Sequence, residues 1–580
     1  MNKLLKLSIY IGVIGFVLCA QAKNSPNIIL IMVDDFGYEC VESYGGTSYS
    51  TPNLSKMAAD GAQFNNAHAQ NICTPSRVQI MTGQYNVRNY TRFATLDQSQ
   101  FTFGHAFKNA GYKTCIVGKW QLGGDENIIQ SMGFDEHCLW NIRGATKERY
   151  VSPAFLVNGI SVDYRGQYGP DIQQEFAEKF IRKNKDKPFF LYYPMTLPHY
   201  PFQPTPNSPD WDPNRDPYYN NTRYFADMVE YLDKLVGDLI SVVNTNGISE
   251  ETLIIFTSDN GTDHRIISYQ NGISVPGAKG KMIDDATHVP FLVYWPEMVL
   301  SGLNIDGLID FSDIFSTLVE VADLDVTSDV LSKQDGTSFM SLLNASKKEI
   351  RTHSFCWYME RTDMTDIKSF IQNKDYKLHS DGRFIKKKTD RFEKNPLKDS
   401  ELTAYEKTLR NKFSKEIEYY NKLRPVRIPY NNSEPIIIPG KIECEQYDLG
   451  MPGVTYYDKT KGNKLNGFWR SDDVDILSDK NIHQITDIEK GEWLEYSVEV
   501  SSSGLYELDI TYSSLIDSAI SFSVNDKCIS GTIGLPSTAG KRTQMHCLEK
   551  NLHLMDGSQI LRLNIEKGGM QLDSIKIYQK

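Results

Sequence analysis

Long apolar runs are scarce in this 580-residue chain, and the one that stands out, Leu7 to Leu18, is only twelve residues long. Twelve residues are too few to cross a bilayer, so membrane insertion is not expected. Lys3 and Lys6 precede the run and Ala20-Gln21-Ala22 follows it, the layout of a signal peptide over residues 1–22 with a mature start near Lys23. A secreted or periplasmic product is expected. Cys19 suggests a lipoprotein, but Leu18 stands where a small residue is wanted, so lipidation is not expected. Positive charge is also in short supply. With Lys3 and Lys6 gone, 60 basic side chains face 73 acidic ones, a formal charge of −13. Such a surface repels polyanions, which argues against a nucleic-acid partner and leaves any anionic substrate to cations held locally in a pocket. Nine cysteines in this length do not make a disulfide scaffold. No long-period repeat and no low-complexity tract is present.

What the chain does have is length for two or more domains and a change of texture along them. Asn27 to Val33 reads as a fully buried strand that stops at Asp34-Asp35. Thr114–Val117, Pro188–Tyr193 and Thr252–Thr257 read the same way, with amphipathic helical stretches around 170–184 and 220–243. This alternation predicts an α/β catalytic domain over 23–337 with a large, mostly parallel central sheet, whose ligands bind beyond the carboxyl ends of the strands. A shorter mixed segment covers 338–422, with strands near 354–358, 368–371 and 375–379 and a charged helix near 400–422. Residues 423–440 carry Pro425, Pro429, Pro435 and Pro439 and are expected to form a semi-rigid linker. From 441 to 580, alternation such as W-L-E-Y-S-V-E-V (493–500) and Y-E-L-D-I-T-Y (506–512) predicts an all-β sandwich.

Residues 73–83 read C-T-P-S-R-V-Q-I-M-T-G, and no packing reason requires Pro75, Ser76 and Arg77 in that order. The segment resembles the recognition sequence of the type I sulfatases, of the alkaline phosphatase superfamily, in which the cysteine is oxidised to formylglycine by a maturation enzyme. The resemblance implies that Cys73 becomes an aldehyde whose hydrate, held at a metal ion, attacks sulfur through one hydroxyl. The other then loses its proton, re-forms the aldehyde and expels sulfate. Seven cysteines then remain in the mature chain, an odd number, so at least one thiol is free.

Further motifs extend the resemblance from Asn27 to about Tyr420. Asp34-Asp35 and Asp259-Asn260 are oxygen-rich pairs at strand ends, suited to a hard divalent cation, and the resemblance implies calcium held by them with the oxygen at position 73. G-K-W-Q-L-G (118–123) resembles the family's G-K-W-H-L-G and places Lys119 as a sulfate-binding cation. Gln121 departs from the family's histidine there; it can donate a hydrogen bond but cannot carry a proton. His199, between Pro198 and Pro201, falls on the family's leaving-group acid, and Lys279, ten residues before Val289-Pro290-Phe291, on its second lysine. Arg77 would hold the hydrate oxygen with its fork of donors. His264 has no counterpart in the pattern and contacts substrate or solvent.

In the C-terminal region I-E-C-E-Q-Y (442–447), G-E-W-L-E-Y (491–496) and L-D-S-I-K-I (572–577) resemble family six carbohydrate-binding modules. This implies a second, structural calcium at Glu443, Glu445 and Asp573. Phe468 and Trp469 would form a sugar platform, and Lys541 and Arg542 would meet a sulfated sugar; the opposing reading is a module that no longer binds. Together the features predict a secreted, calcium-dependent sulfatase acting on a sulfated polysaccharide of the ulvan, carrageenan or fucoidan type. Two rivals stand beside it: a phosphatase or phosphodiesterase of the same superfamily, and a non-catalytic glycan binder.

Overall fold

The strand that begins the fold, β1 (Asn27–Val33), is buried at every position. Its alternating side chains feed two separate cores: Ile28, Leu30 and Met32 pack into one, and Ile29, Ile31 and Val33 into the other. A strand apolar on both faces needs cover on both sides, which places it centrally. Each such side chain contributes about 1.5–3 kcal/mol by leaving water. The computed structural model describes residues 25–580, without 125–126, 141–147, 361, 363–365, 431–432, 461, 464–469, 471, 480–481 and 526, and with backbone only for 479, 482 and 546–551. The expected signal segment, Phe468 and Trp469 lie outside the described residues.

The other strands of the first domain are β2 (Ala62–His68), β3 (Lys113–Lys119), β4 (Glu136–Trp140), β5 (Ala154–Val157), β6 (Ile160–Asp163), β7 (Phe189–Pro194), β8 (Thr252–Ser258), the hairpin β9 (Ile267–Gln270) and β10 (Ile273–Pro276), β11 (Phe291–Tyr294) and β12 (Leu303–Asp310). All but the hairpin form one ten-stranded sheet in the order β12-β2-β11-β8-β1-β7-β3-β4-β5-β6. The centre, β8-β1-β7-β3-β4, is parallel. β11 runs antiparallel to both of its neighbours, and β5 and β6 are antiparallel at the far edge, so the sheet is mixed. Helices Gly169–Asn184 and Phe225–Thr245 cover one face, and Phe103–Asn109 and Ser312–Ala322 the other.

Register places the site. Val33 pairs with Ser258, so Asp34-Asp35 and Asp259-Asn260 leave the sheet side by side. Asp259 N donates to Val33 O at 3.0 Å and Asp34 N to Leu197 O at 2.9 Å, which ties a third loop to the same edge. Gly118 in β3 has φ +121°, and a Cβ there would stand 1.9 Å from Pro194 O. Only glycine lets β3 pass this close to the end of β7 and deliver Lys119 to the same place.

Strands β13 (Ser354–Met359), β14 (Ile367–Gln372), β15 (Tyr376–His379) and β16 (Phe384–Lys386) form an antiparallel sheet with helix Ala404–Asn421 against it. That helix starts at a capping box, Thr403 with Glu406. Phe355, Trp357, Phe413 and Ile417 share a core with Tyr85, Val87 and Tyr90, so this unit is packed onto the large one. Beyond it lie a seven-stranded and a six-stranded sheet around Tyr496, Ile510, Leu561 and Ile575, a β sandwich. The 423–440 segment, expected as a linker, is built into both neighbours. Arg424 Nη1 donates to Tyr90 O at 2.6 Å, Arg427–Ile428 pairs with Leu449–Gly450, and Ile436–Ile438 pairs in parallel with 498–500. Prolines remove donors but leave the intervening Ile and Arg residues free to pair. Cys40, Cys73, Cys115, Cys138, Cys356, Cys444 and Cys528 are free thiols.

Candidate active site

Cys73 is the first residue of helix Cys73–Thr82, all of whose residues are buried. Its Sγ sits where the unpaired N–H groups and the dipole of the helix favour developing negative charge. The thiol donates to Gln121 Oε1 at 3.5 Å. Burial pushes the thiol up, against the pull of Lys119 and Lys279. One turn further, Arg77 is 1% exposed. Its Nη2 lies 2.7 Å from Asp259 Oδ2 and 3.9 Å from Asp34 Oδ1, and its Nη1 donates to Lys119 O at 3.2 Å.

The carboxylates form the floor. Lys119 Nζ bridges both oxygens of Asp34 at 2.9 Å. Lys279 Nζ reaches Asp35 Oδ2 at 2.6 Å, and Asn260 Nδ2 donates to Asp35 Oδ1 at 2.9 Å. Asp35 adopts φ 64°, a left-handed backbone that Asp tolerates better than most residues and that turns its carboxylate beside Asp34. At Asp34 burial works to raise the carboxyl but is outweighed by His199, Lys119, Arg77 and Lys279, which hold it well below the carboxylate range. Asp259 is pushed up to about 6 by burial and by Asp34 beside it, against Arg77 and Lys119. The cations thus favour the charged form at Asp34, whereas burial, with Asp34 adding to it, keeps Asp35 and Asp259 raised. Asn260 Oδ1, also buried, has no hydrogen-bond donor among the described residues. An orphaned amide oxygen beside crowded carboxylates fits a hard oxygen-seeking cation such as calcium. The four oxygen donors do not converge equally: the tightest group is Asp34, Asp35 and His199, with one ligating atom from each within 4.8 Å of the others, while Asp259 is turned toward Arg77 and the Asp35 amide.

His199 closes the cleft. Its Nε2 is 3.1 Å from Lys279 Nζ and 3.5 Å from Asp35 Oδ2. Its Nδ1 is 2.8 Å from Arg149 Nη1, and its carbonyl accepts from Tyr150 OH at 2.6 Å. Burial holds the imidazole well below its ordinary pKa, with Lys279, Arg149 and Lys119 adding to the effect against Asp34. Arg149 is the residue that sequence reading missed. It stacks 3.9 Å over the Trp140 ring and lies 3.7 Å from Asp34 Oδ2, but R-Y-V belongs to no motif, and only the fold carries it to the cleft.

Other candidates lie elsewhere. The His264 side chain is 63% exposed, against Asp263. In the module, Arg542 Nη2 takes Asp573 Oδ2 at 2.5 Å and Lys441 takes Glu443 at 2.7 Å. Glu445 is pushed up to about 7, chiefly by burial. Among the described residues, Glu443, Glu445 and Asp573 do not form a cluster with ligating atoms within 4.8 Å, so the expected calcium group is not assembled. Lysine and arginine already hold two of its three carboxylates.

The family model for sulfatases matches residues 26–324, more than half of the chain. That for the C-terminal region of N-sulphoglucosamine sulphohydrolase matches 278–418. The module matches a carbohydrate-binding module of family 35 over 470–577, which replaces the family six expectation. Arylsulfatase A of Bos taurus is 28% identical over 396 residues, covering 62% of this chain and 75% of that protein. N-acetylgalactosamine-6-sulfatase of Rattus norvegicus is 28% identical over 366 residues, covering 54% and 65%. The crystal structure of Ps i-CgsB, also solved with k-i-k-neocarrahexaose, shares the fold at TM-score 0.59 and 24% identity, covering 69% of this chain and 94% of that one. No helix among the described residues is long and apolar enough to cross a membrane. The phosphatase and binding-only alternatives give way to these matches: the chain belongs to the sulfatase family and is a sulfuric ester hydrolase.

Proposed function

We propose that this chain removes sulfate from a sulfated polysaccharide or its oligosaccharides, as a secreted or periplasmic enzyme whose Cys73 is converted to formylglycine by a maturation enzyme. The observation that carries the reading is the convergence of Lys119, Lys279, His199 and Arg77 on the carboxylates of Asp34, Asp35 and Asp259, with Cys73 of the C-T-P-S-R motif one helical turn before Arg77 and bonded to Gln121. The glycan part is supported by the family 35 module match and by a structural neighbour solved with a neocarrahexaose. Carrageenan, fucoidan and ulvan remain the candidate classes.

Asp34, Asp35, Asp259 and Asn260 would hold calcium, which supplies Lewis acidity toward sulfate oxygen, and the aldehyde hydrate at position 73 supplies the nucleophile. The chain's own side chains do the rest. Lys119 and Lys279 set two ammonium groups against the anionic ester, where desolvation strengthens attraction. Arg77 fixes Asp259 and the Lys119 carbonyl, so the helix start and the floor move as one. Gln121 accepts from residue 73 and orients it without carrying a proton. His199 gives its proton to the departing sugar oxygen, held in place by Arg149 and the Tyr150 hydroxyl. Incubation with carrageenan, fucoidan and ulvan oligosaccharides, with released sulfate measured by ion chromatography, tests the reading. Turnover of aryl sulfates with no release from any sulfated glycan would overturn it.

A further inference from the structure

A second group of ligating side chains, His68, Asp284 and His288, lies outside the set assigned to catalysis. One ligating atom of each lies within 4.8 Å of those of the other two. His68 ends β2, His288 bridges to it across the backbone, and Asp284 opens the one-turn helix Asp284–Thr287. His68 is 1% and His288 8% exposed. In each ring one nitrogen is engaged: His68 Nδ1 with Thr287 Oγ1 at 3.3 Å, and His288 Nε2 with Asn65 O at 2.9 Å. Among the described residues, the opposite nitrogens, His68 Nε2 and His288 Nδ1, are buried with no hydrogen-bond donor, and His288 Nδ1 has the Asp284 carboxylate 3.5 Å away.

Two imidazole nitrogens that meet no protein donor, each on a ring backed by an oxygen on the far side, are the arrangement of metal-binding histidines. The His288 ring is further fixed by Tyr38, stacked at 3.9 Å. We propose that His68 Nε2, His288 Nδ1 and Asp284 Oδ2 bind a divalent transition metal of the zinc class, with water completing the shell. Two nitrogens and one carboxylate favour such an ion over calcium. Asp284 Oδ2 lies 3.5 Å from His288 Nδ1, while Oδ1 is held by Lys387 Nζ at 2.7 Å, so the carboxylate has one oxygen for the metal and one for the ammonium. The role is structural. Thr287 O accepts from Ala69 N at 2.8 Å and Asn71 O from Gly280 N at 2.7 Å, so a metal here would pin the loop bearing Lys279 to the segment leading into Cys73.

Titration of the calcium-loaded full chain with Co2+ tests the site. One equivalent should bind with visible d–d bands and raise Tm, and the bands should persist in an Asp34→Asn, Asp259→Asn variant. His68→Gln and His288→Gln should weaken binding at least tenfold, roughly the lower bound for loss of a ligand. Lys387→Met should tighten it by removing a neighbouring positive charge. Zinc-edge X-ray absorption of the zinc-loaded wild type should report two imidazole ligands, which decides the matter even if the histidine variants fail to fold. Absence of the bands, bands lost with Asp34 and Asp259, or affinity unchanged in the two histidine variants would overturn the proposal.

Discussion

Replacing His199 by alanine separates proton donation from binding. Nδ1 lies 2.8 Å from the Arg149 guanidinium, and Nε2 lies 3.1 Å from the Lys279 ammonium and 3.5 Å from Asp35 Oδ2, so burial and a donor-only cation at each ring nitrogen hold the resting imidazole neutral. In the doubly protonated ring, the Tyr200 carbonyl, 2.5 Å from Nδ1, and Asp35 Oδ2, 3.5 Å from Nε2, are the acceptors for the two protons. An incoming anionic ester works against the cations that now hold the ring neutral, so substrate itself would bring His199 toward its acid form. General acid catalysis supplies about 10²- to 10⁴-fold, or about 3–5 kcal/mol of barrier. A sugar alkoxide needs that proton, whereas the phenolate of an activated aryl sulfate leaves without it. His199→Ala should therefore lower kcat/KM about 10²- to 10⁴-fold on a sulfated oligosaccharide and only about tenfold or less on 4-nitrophenyl sulfate. Losses in electrostatics and in Arg149 positioning strike both substrates alike, so the ratio is the readout. Equal losses would show that His199 only binds or orients, and would move the acid to Lys279.

Chelation should abolish turnover and lower Tm, and calcium should restore both better than zinc, because the catalytic group offers hard oxygens; full activity of Asp34→Ala, Asp259→Ala would refute this. Arg77→Met should destabilise the fold by about 3–5 kcal/mol by leaving Asp259 buried without its 2.7 Å partner, and adding Asp259→Asn should recover part of that loss; additive urea-denaturation effects would count against the pairing. Asp310, fully buried, is pushed up from 3.8 to about 7, chiefly by burial and despite Arg351. A raised carboxyl stabilises the fold most below its unfolded pKa and loses that contribution as pH rises to about 7, so the difference in Tm between wild type and Asp310→Asn should shift in favour of the variant from about pH 4 to about pH 7.

Strands with unbroken apolar runs were legible from sequence alone: I-I-L-I-M-V within Asn27–Val33 and L-I-I-F within Thr252–Ser258 are apolar at every position because both faces are covered. β2 was not. Its sequence A-Q-F-N-N-A-H carries Asn65 and Asn66 at half-buried positions, so neither helical nor strand periodicity marks it, and pairing with β11 and β12 makes it a strand. The residues gathered in the cleft come from strand ends and a helix start, where local patterns such as D-D, S-D-N-G and C-T-P-S-R are short and distinctive. Arg149 reaches the same place through tertiary packing on Trp140, which has no local signature. In the module, carboxylate positions were readable, but the capture of Asp573 by Arg542 depends on the strand that follows Arg542 and the strand that carries Asp573 both flanking Gly504–Ser514. The pairings of the 423–440 segment were hidden for a similar reason: four prolines mark irregular backbone, not the absence of pairing partners.

The central claim is that residue 73 acts as an aldehyde and not as a thiol. Intact-mass measurement of the tryptic peptide carrying residue 73, from active enzyme, tests it most directly. Exchange of a thiol for an aldehyde should make that peptide about 18 Da lighter, with specific activity rising in proportion to the converted fraction and Cys73→Ala folded but inactive. Full activity in a preparation whose Cys73 is wholly unmodified would contradict the account.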